Sequence, residues 1–286
     1  MLYLILAIAC STLLSVAMRL SENHTKNNMG MFISNYLTCI LLSCFFMDGG
    51  SFFQAESGLG MALLQGGFSG FLFLASLFLI QRNIHHNGIV LTTAFSKLGV
   101  LVPTLMAIVV FHEHPEILQL LGMVVALIAI TIMYFEKGAF AQGNRKELLL
   151  ATLLVSGITD SMANIYDKTG SAAYKDHYLF FTFLAACLFA ILVNLRSKAP
   201  ISKAEIGFGI LIGIPNYFSA RFLLLALGSV PAVITYPVYS AGIIIAITLS
   251  GMLLFKEQVS NKKKFALLLV IAALVLLNLS RNLNEK

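Results

Sequence analysis

The chain has 286 residues, of which 58% are hydrophobic and only 11% charged. Soluble domains carry about 25% charged residues, so this composition excludes a water-soluble globular protein and leaves a polytopic membrane protein. The net charge of +6 is modest, and in such a protein basic residues reflect cytoplasmic loops rather than nucleic-acid binding. Cys10, Cys39, Cys44 and Cys187 all fall inside apolar runs, with no C-x-x-C pair and no histidine at metal spacing. They read as small buried hydrophobes, and the sequence implies neither metal nor cofactor.

The N-terminus, MLYLILAIACSTLLSVAM, lacks a basic leader and a cleavage site, so it reads as a first spanning helix. Apolar runs near 20 residues then recur along the chain. They predict spans near 2–20, 30–47, 59–81, 88–111, 117–135, 147–165, 178–195, 205–227, 230–254 and 264–281. Gly228, Ser229 and Pro231 separate the eighth and ninth. Loops are short throughout and leave no room for a soluble domain. The expected fold is therefore an all-α membrane protein of ten transmembrane helices.

An offset of 144 residues aligns much of the first half with the second. Ser96 falls on Ser240, Thr104 on Thr248, Phe111 on Phe255 and Glu113 on Glu257; upstream, Phe78 falls on Phe222 and Met18 on Met162. Span and hinge positions coincide along most of each half. This predicts two five-helix repeats, residues 1–140 and 145–286. Five spans is an odd number, so the second repeat is inverted in the membrane. Inverted repeats are typical of secondary transporters, whose site lies near the midplane between the halves.

Two five-span repeats, each with F-x-E, a polar hinge and a last apolar helix, resemble the drug/metabolite transporter superfamily, most closely its EamA-like branch. The motifs that carry the likeness are Phe111–Glu113 with Gly122, and Phe255–Glu257. The family often has a Trp-Gly pair in the first helix of each repeat. Here those places read Ser11-Thr12 and Ser156-Gly157, and Ala266 stands where a glycine is expected in the last helix. The resemblance implies a ten-helix transporter working by alternating access and does not carry a substrate over.

Basic residues set the expected orientation. Lys26, Arg82, Lys137, Arg145, Lys146, Arg196, Lys198, Lys203, Lys256 and Lys262–Lys264 fall on one side. Lys168, Lys175, Arg281 and Lys286 fall on the other. The richer side is placed in the cytoplasm and both termini outside.

Four charges remain inside the expected spans: Arg19, Lys97, Asp160 and Arg221. A lysine at mid-membrane costs about 2.5–3.5 kcal/mol on insertion scales, so such residues face a bundle interior or a wet cavity. Ser11, Ser15 and Arg19 form one stripe at i, i+4, i+8, and Ser156, Asp160 and Asn164 form another. Arg19 sits at a span end, where it could also snorkel to the headgroups. Lys97 shares a helix face with Thr93, and Arg221 with Tyr217. On the ninth span Tyr236, Tyr239 and Ser240 line one side, and Pro237 is expected to interrupt the helix between them. The candidate substrate-binding residues are therefore Lys97, Arg221, Asp160, Tyr236, Tyr239, Ser240, Thr93, Asn164, Tyr217 and Arg19.

Three cations against one acid favour an anionic group on the substrate, held by Lys97 and Arg221. Asp160 would balance them, bind an amine or carry a coupling proton. Four histidines, His112 and His114 around Glu113 and the pair His85-His86, read as hinge and membrane-edge residues; Asn23 and Asn278 fit the glycosylation pattern by chance. The chain has no P-loop, paired acids or Ser-His-Asp set. The sequence therefore reads as a secondary transporter, not an enzyme, of an anionic or zwitterionic metabolite: an amino acid, organic acid or phosphorylated compound. A multidrug or cationic-compound exporter of the same fold is the alternative, and a membrane enzyme acting on a lipid-linked substrate is a distant third. Expected partners are a small-molecule substrate, a coupling proton or ion, and the lipid bilayer, in a monomer or homodimer of the bacterial cytoplasmic (inner) membrane.

Overall fold

The computed structural model describes residues 1–22, 24–47, 57–134, 145–197, 199–256 and 260–284. Among the sequence expectations, Asn23, Lys137, Lys198, Glu257 and Lys286 lie outside the described residues. The described residues form ten α-helices and one short 3-10 turn, Ala172–Tyr174. The helices are α1 Leu2–Ser21, α2 Asn28–Phe46, α3 Ser57–Leu98, α4 Leu101–Val109, α5 Ile117–Tyr134, α6 Lys146–Thr169, α7 Lys175–Ser197, α8 Lys203–Leu227, α9 Ala232–Leu254 and α10 Asn261–Asn284. Eight segments are long and apolar enough to cross a membrane. Ile117–Met133 and Lys264–Leu277, at the places of the expected fifth and tenth spans, are shorter apolar helices. The chain is an integral, multi-pass membrane protein.

The longest element hides a reversal. Helical hydrogen bonding runs unbroken from Ser57 to Leu98, across the expected loop between the third and fourth spans. Yet the hydroxyls of Ser76 and Ser96 both reach that of Ser156, at 3.2 and 3.3 Å. Twenty residues of straight helix would hold those two serines about 30 Å apart. The chain must therefore double back between them. Residues 82–87 stay helical because they contain neither glycine nor proline and their asparagines are bound. Asn83 donates to the Leu148 carbonyl (3.0 Å) and to Thr152 (2.7 Å). Asn87 donates to Asn83 and to the Arg145 carbonyl, and accepts the Arg145 backbone N–H at 2.8 Å. Both asparagines are buried, so these bonds satisfy groups that would otherwise be costly to desolvate.

A true break comes later, at Gly99-Val100, between α3 and α4. Pro103 has no N–H to offer the Gly99 carbonyl four residues back. The amide of Val102 takes that carbonyl instead, at 2.9 Å, in a tighter turn. Pro215 and Pro237, by contrast, sit inside continuous helices. The expected interruption of the ninth span at Pro237 is not there; losing one amide donor leaves the rest of the α9 ladder intact.

The chain divides into two compact units: unit 1 is residues 1–74 with 162–228, and unit 2 is residues 75–161 with 229–286. This is a different division from the expected sequence repeats, because each unit draws helices from both halves of the chain. In unit 1, α2 packs on α7 and α8, and α1 on α8; in unit 2, α5 packs on α10 and α4 on α9.

Unit 1 is held by small residues at close helix crossings. In a bilayer there is no hydrophobic drive between helices, so close van der Waals contact has to supply the association. Gly209 and Gly213, one turn apart on α8, lie against Ser34 and Thr38 of α2; a Cβ at Gly213 would sit 2.7 Å from that of Thr38. Gly66 and Gly70 on α3 meet α7 in the same way, a Cβ at Gly66 falling 2.7 Å from the Tyr178 carbonyl. Tyr166 and Tyr178 stack at 4.3 Å beside this crossing. In unit 2, Gly122, flagged in the sequence, lies against Ala273 and Leu277 of α10.

Candidate functional site

Several polar residues of unit 2 meet on one stretch of α6. Ser156 receives Ser76 and Ser96, as above. One turn on, the Tyr236 hydroxyl of α9 donates to the Asp160 carbonyl at 2.8 Å. Lys97 lies within electrostatic reach of the Asp160 carboxylate. Thus α6, the end of α3 and α9 converge on Ser156–Asp160, and the expected set Thr93, Lys97, Asp160, Tyr236, Tyr239 and Ser240 falls within this one unit.

Burial separates their roles. Tyr236 is 2% exposed and acts as a strut between α9 and α6. Thr93, Tyr239 and Ser240 are half-buried, whereas Lys97 and Asp160 are exposed. An exposed charge on a spanning segment faces lipid or water. Lipid is the costly one of the two for a charge. Lys97 stands in the last turn of α3, two residues before the helix break at Gly99-Val100. Ser240, Pro237 and Thr104 also line a cavity of about 20 Å³ among α4, α5 and α9, roughly the space of one water.

The hinge motif has a structural role here. Glu113 accepts the backbone N–H groups of Ala232 (3.2 Å) and Val233 (2.9 Å) on its two carboxylate oxygens. These are the first amides of α9, which have no intrahelical acceptor. The Pro231 N-cap position of α9 offers no side-chain hydrogen bond, so a carboxylate from the α4–α5 hinge does the capping. To present it, His112 adopts φ 53°; Lys256, 144 positions on, adopts φ 54°.

The remaining candidates, Arg19, Asn164, Tyr217 and Arg221, lie in unit 1. Arg221 is bound in a bidentate pair by Asp176 of α7, at 2.9 and 3.2 Å. Its guanidinium also lies 4.1 Å from the centre of the Phe46 ring. Tyr217 is fully buried and stacks on Phe46 at 5.8 Å. Asn164 is fully buried, and among the described residues neither side-chain amide atom has a hydrogen-bond partner. Arg19 is exposed in the last turn of α1, where a cation also complements the helix dipole. Ser11, from the same stripe, turns to α8 and pairs with Ser219 at 2.7 Å.

Sequence reasoning weighed three cations against one acid and missed Asp176. That residue stands in the first turn of α7, next to Lys175, and reads in sequence as an ordinary solvated loop charge. Lys175 is itself bound by Asp167 at 2.6 Å. The paired glycines of α3 and α8 were legible as G-x-x-x-G and were also passed over.

Residues 177–270 match the family model described as Small Multidrug Resistance protein. An uncharacterised protein of Haemophilus influenzae is 28% identical over 283 residues, covering 95% of each chain. A solved crystal structure at 12% identity covers 100% of this chain and 98% of its own, with a TM-score of 0.78. The architecture is therefore an existing one. Taken with the apolar helices, the family match points to a membrane transporter rather than an enzyme.

Proposed function

We propose that the chain is a secondary transporter of a small zwitterionic metabolite, of the amino-acid kind, bound at the exposed Lys97–Asp160 pair of unit 2. The observation that carries this reading is the balance of charge. Arg221, expected as a second contact for a substrate anion, is bound by Asp176 within its own unit. The acidic group of the substrate then falls to Lys97 and its amine to Asp160. Tyr239 and Thr93 add hydroxyls nearby, and Tyr236 fixes the α6 backbone that carries Asp160.

Two features support an EamA-like inverted repeat as the machine around this pair. Helices related by the 144-residue offset are packed neighbours, namely α2 with α7, α4 with α9 and α5 with α10. The same rare backbone recurs at His112 and Lys256. Alternating access would rock the repeats about the site.

A second reading is favoured by the match over residues 177–270: export of lipophilic cations, with Asp160 as the cation contact. Proteoliposome flux separates the two. On the first reading, a labelled neutral amino acid shows saturable uptake and counterflow that both Lys97→Ala and Asp160→Asn abolish. On the second, a quaternary ammonium dye is transported, Asp160→Asn abolishes it and Lys97→Ala leaves or improves it. Normal transport of every solute in both variants would end both readings.

A further inference from the structure

We infer that unit 2 carries a docking surface for an anionic phospholipid, where the turn inside α3 meets the start of α6. The surface is independent of the substrate reading and rests only on the chain being a membrane protein. Its charge comes from two elements that the asparagine network locks together. Asn83 and Asn87 bind the backbone of Leu148 and Arg145. That pinning brings their sequence neighbours Arg82, His85 and His86 to the start of α6. Arg82, His85 and Arg145 all act electrostatically on His86, and the two imidazole rings are 5.3 Å apart. The side chains of Arg82, His85, His86 and Arg145 are exposed. Two guanidiniums and two imidazoles from adjoining segments thus share one exposed surface, and guanidiniums offer the donors that suit the oxygens of a phosphodiester.

An apolar groove begins beside this cluster. It is an open groove of about 360 Å³ lined by Phe95, Lys146, Glu147, Leu149 and Leu150. That volume is at the small end of the range of roughly 300–1,000 Å³ for ligand pockets. Leu150 is 55% exposed and stands one turn beyond Lys146. A basic headgroup site beside an open apolar groove matches a phospholipid, charge at one end and acyl chain at the other. The basic-residue count also places Arg82, Arg145 and Lys146 on the side expected to face the cytoplasm, where basic segments meet anionic lipid.

The test uses the full-length protein in neutral detergent. Thermal unfolding and native mass spectrometry are run with phosphatidylglycerol, with phosphatidylcholine of the same acyl chains, and with glycerol phosphate alone. Phosphatidylglycerol is expected to raise the unfolding temperature by several degrees and to remain bound in the gas phase. Phosphatidylcholine and glycerol phosphate should do neither. Arg82→Gln with Arg145→Gln should weaken phosphatidylglycerol binding about tenfold. Leu150→Trp, which fills the groove and leaves the charges in place, should weaken it comparably. Lys262→Gln with Lys264→Gln, on a separate basic segment, should leave binding unchanged. Equal stabilisation by phosphatidylcholine, equal stabilisation by glycerol phosphate, or full binding by both the arginine and Leu150→Trp variants would each overturn the inference.

Discussion

Replacing Glu113 with alanine tests the physical meaning of the F-x-E hinge. The substitution deletes a carboxylate that accepts two backbone N–H groups, those of Ala232 and Val233. Losing a side-chain helix cap costs about 0.5–2 kcal/mol, and hydrogen bonds to a charged group are worth roughly 1.5–3 kcal/mol each. Glu113 is half-buried, so water can replace part of what is lost. About 2 kcal/mol is the expected net effect, equivalent to a fall of roughly 4–8 °C in unfolding temperature. Glu113→Gln keeps one carbonyl acceptor without the charge and should fall about halfway. Circular dichroism at 222 nm suits the measurement, because the chain has no tryptophan and all four cysteines lie in unit 1. If Glu113→Ala melts with the parent protein, or if glutamine is as damaging as alanine, a charge-assisted cap is not what this residue provides.

Other outcomes follow from single contacts. Gly213→Val drives a side chain into Thr38 and should destabilise by about 1–3 kcal/mol; Cys39, whose thiol donates to the Gly213 carbonyl at 3.3 Å, should become reactive to maleimide below the parent's unfolding temperature. Tyr236→Phe removes one hydroxyl bond to Asp160 and should cost about 1 kcal/mol of stability, while proteoliposome flux falls less than in Lys97→Ala. A double-mutant cycle on Arg221→Ala and Asp176→Ala should give a coupling energy above about 1 kcal/mol, read from thiol-dye melting, since the buried Cys39 and Cys187 belong to the same unit. A coupling near zero would make the pair incidental and restore Arg221 as a candidate substrate contact.

The sequence by itself determined the membrane class, because apolar run length is a one-dimensional property set by bilayer thickness. It also singled out Lys97 and Asp160, since a charge in an apolar run is visible without coordinates, and it marked Glu113 by its recurrence at Glu257. What it could not supply was the partner of each charge. Asp176 looks like a loop residue until α7 and α8 are packed together. Nothing in the sequence shows that the Tyr236 hydroxyl donates to the Asp160 carbonyl. Proline position predicted a broken ninth helix, but α9 absorbs one missing donor, and the break falls at Gly99-Val100, where Pro103 cannot supply the helical bond to the Gly99 carbonyl. Tertiary structure decided these points because they concern pairs of residues distant in the chain. Only the packing of helices brings Arg221 to Asp176, or the Glu113 carboxylate to the free amides of α9.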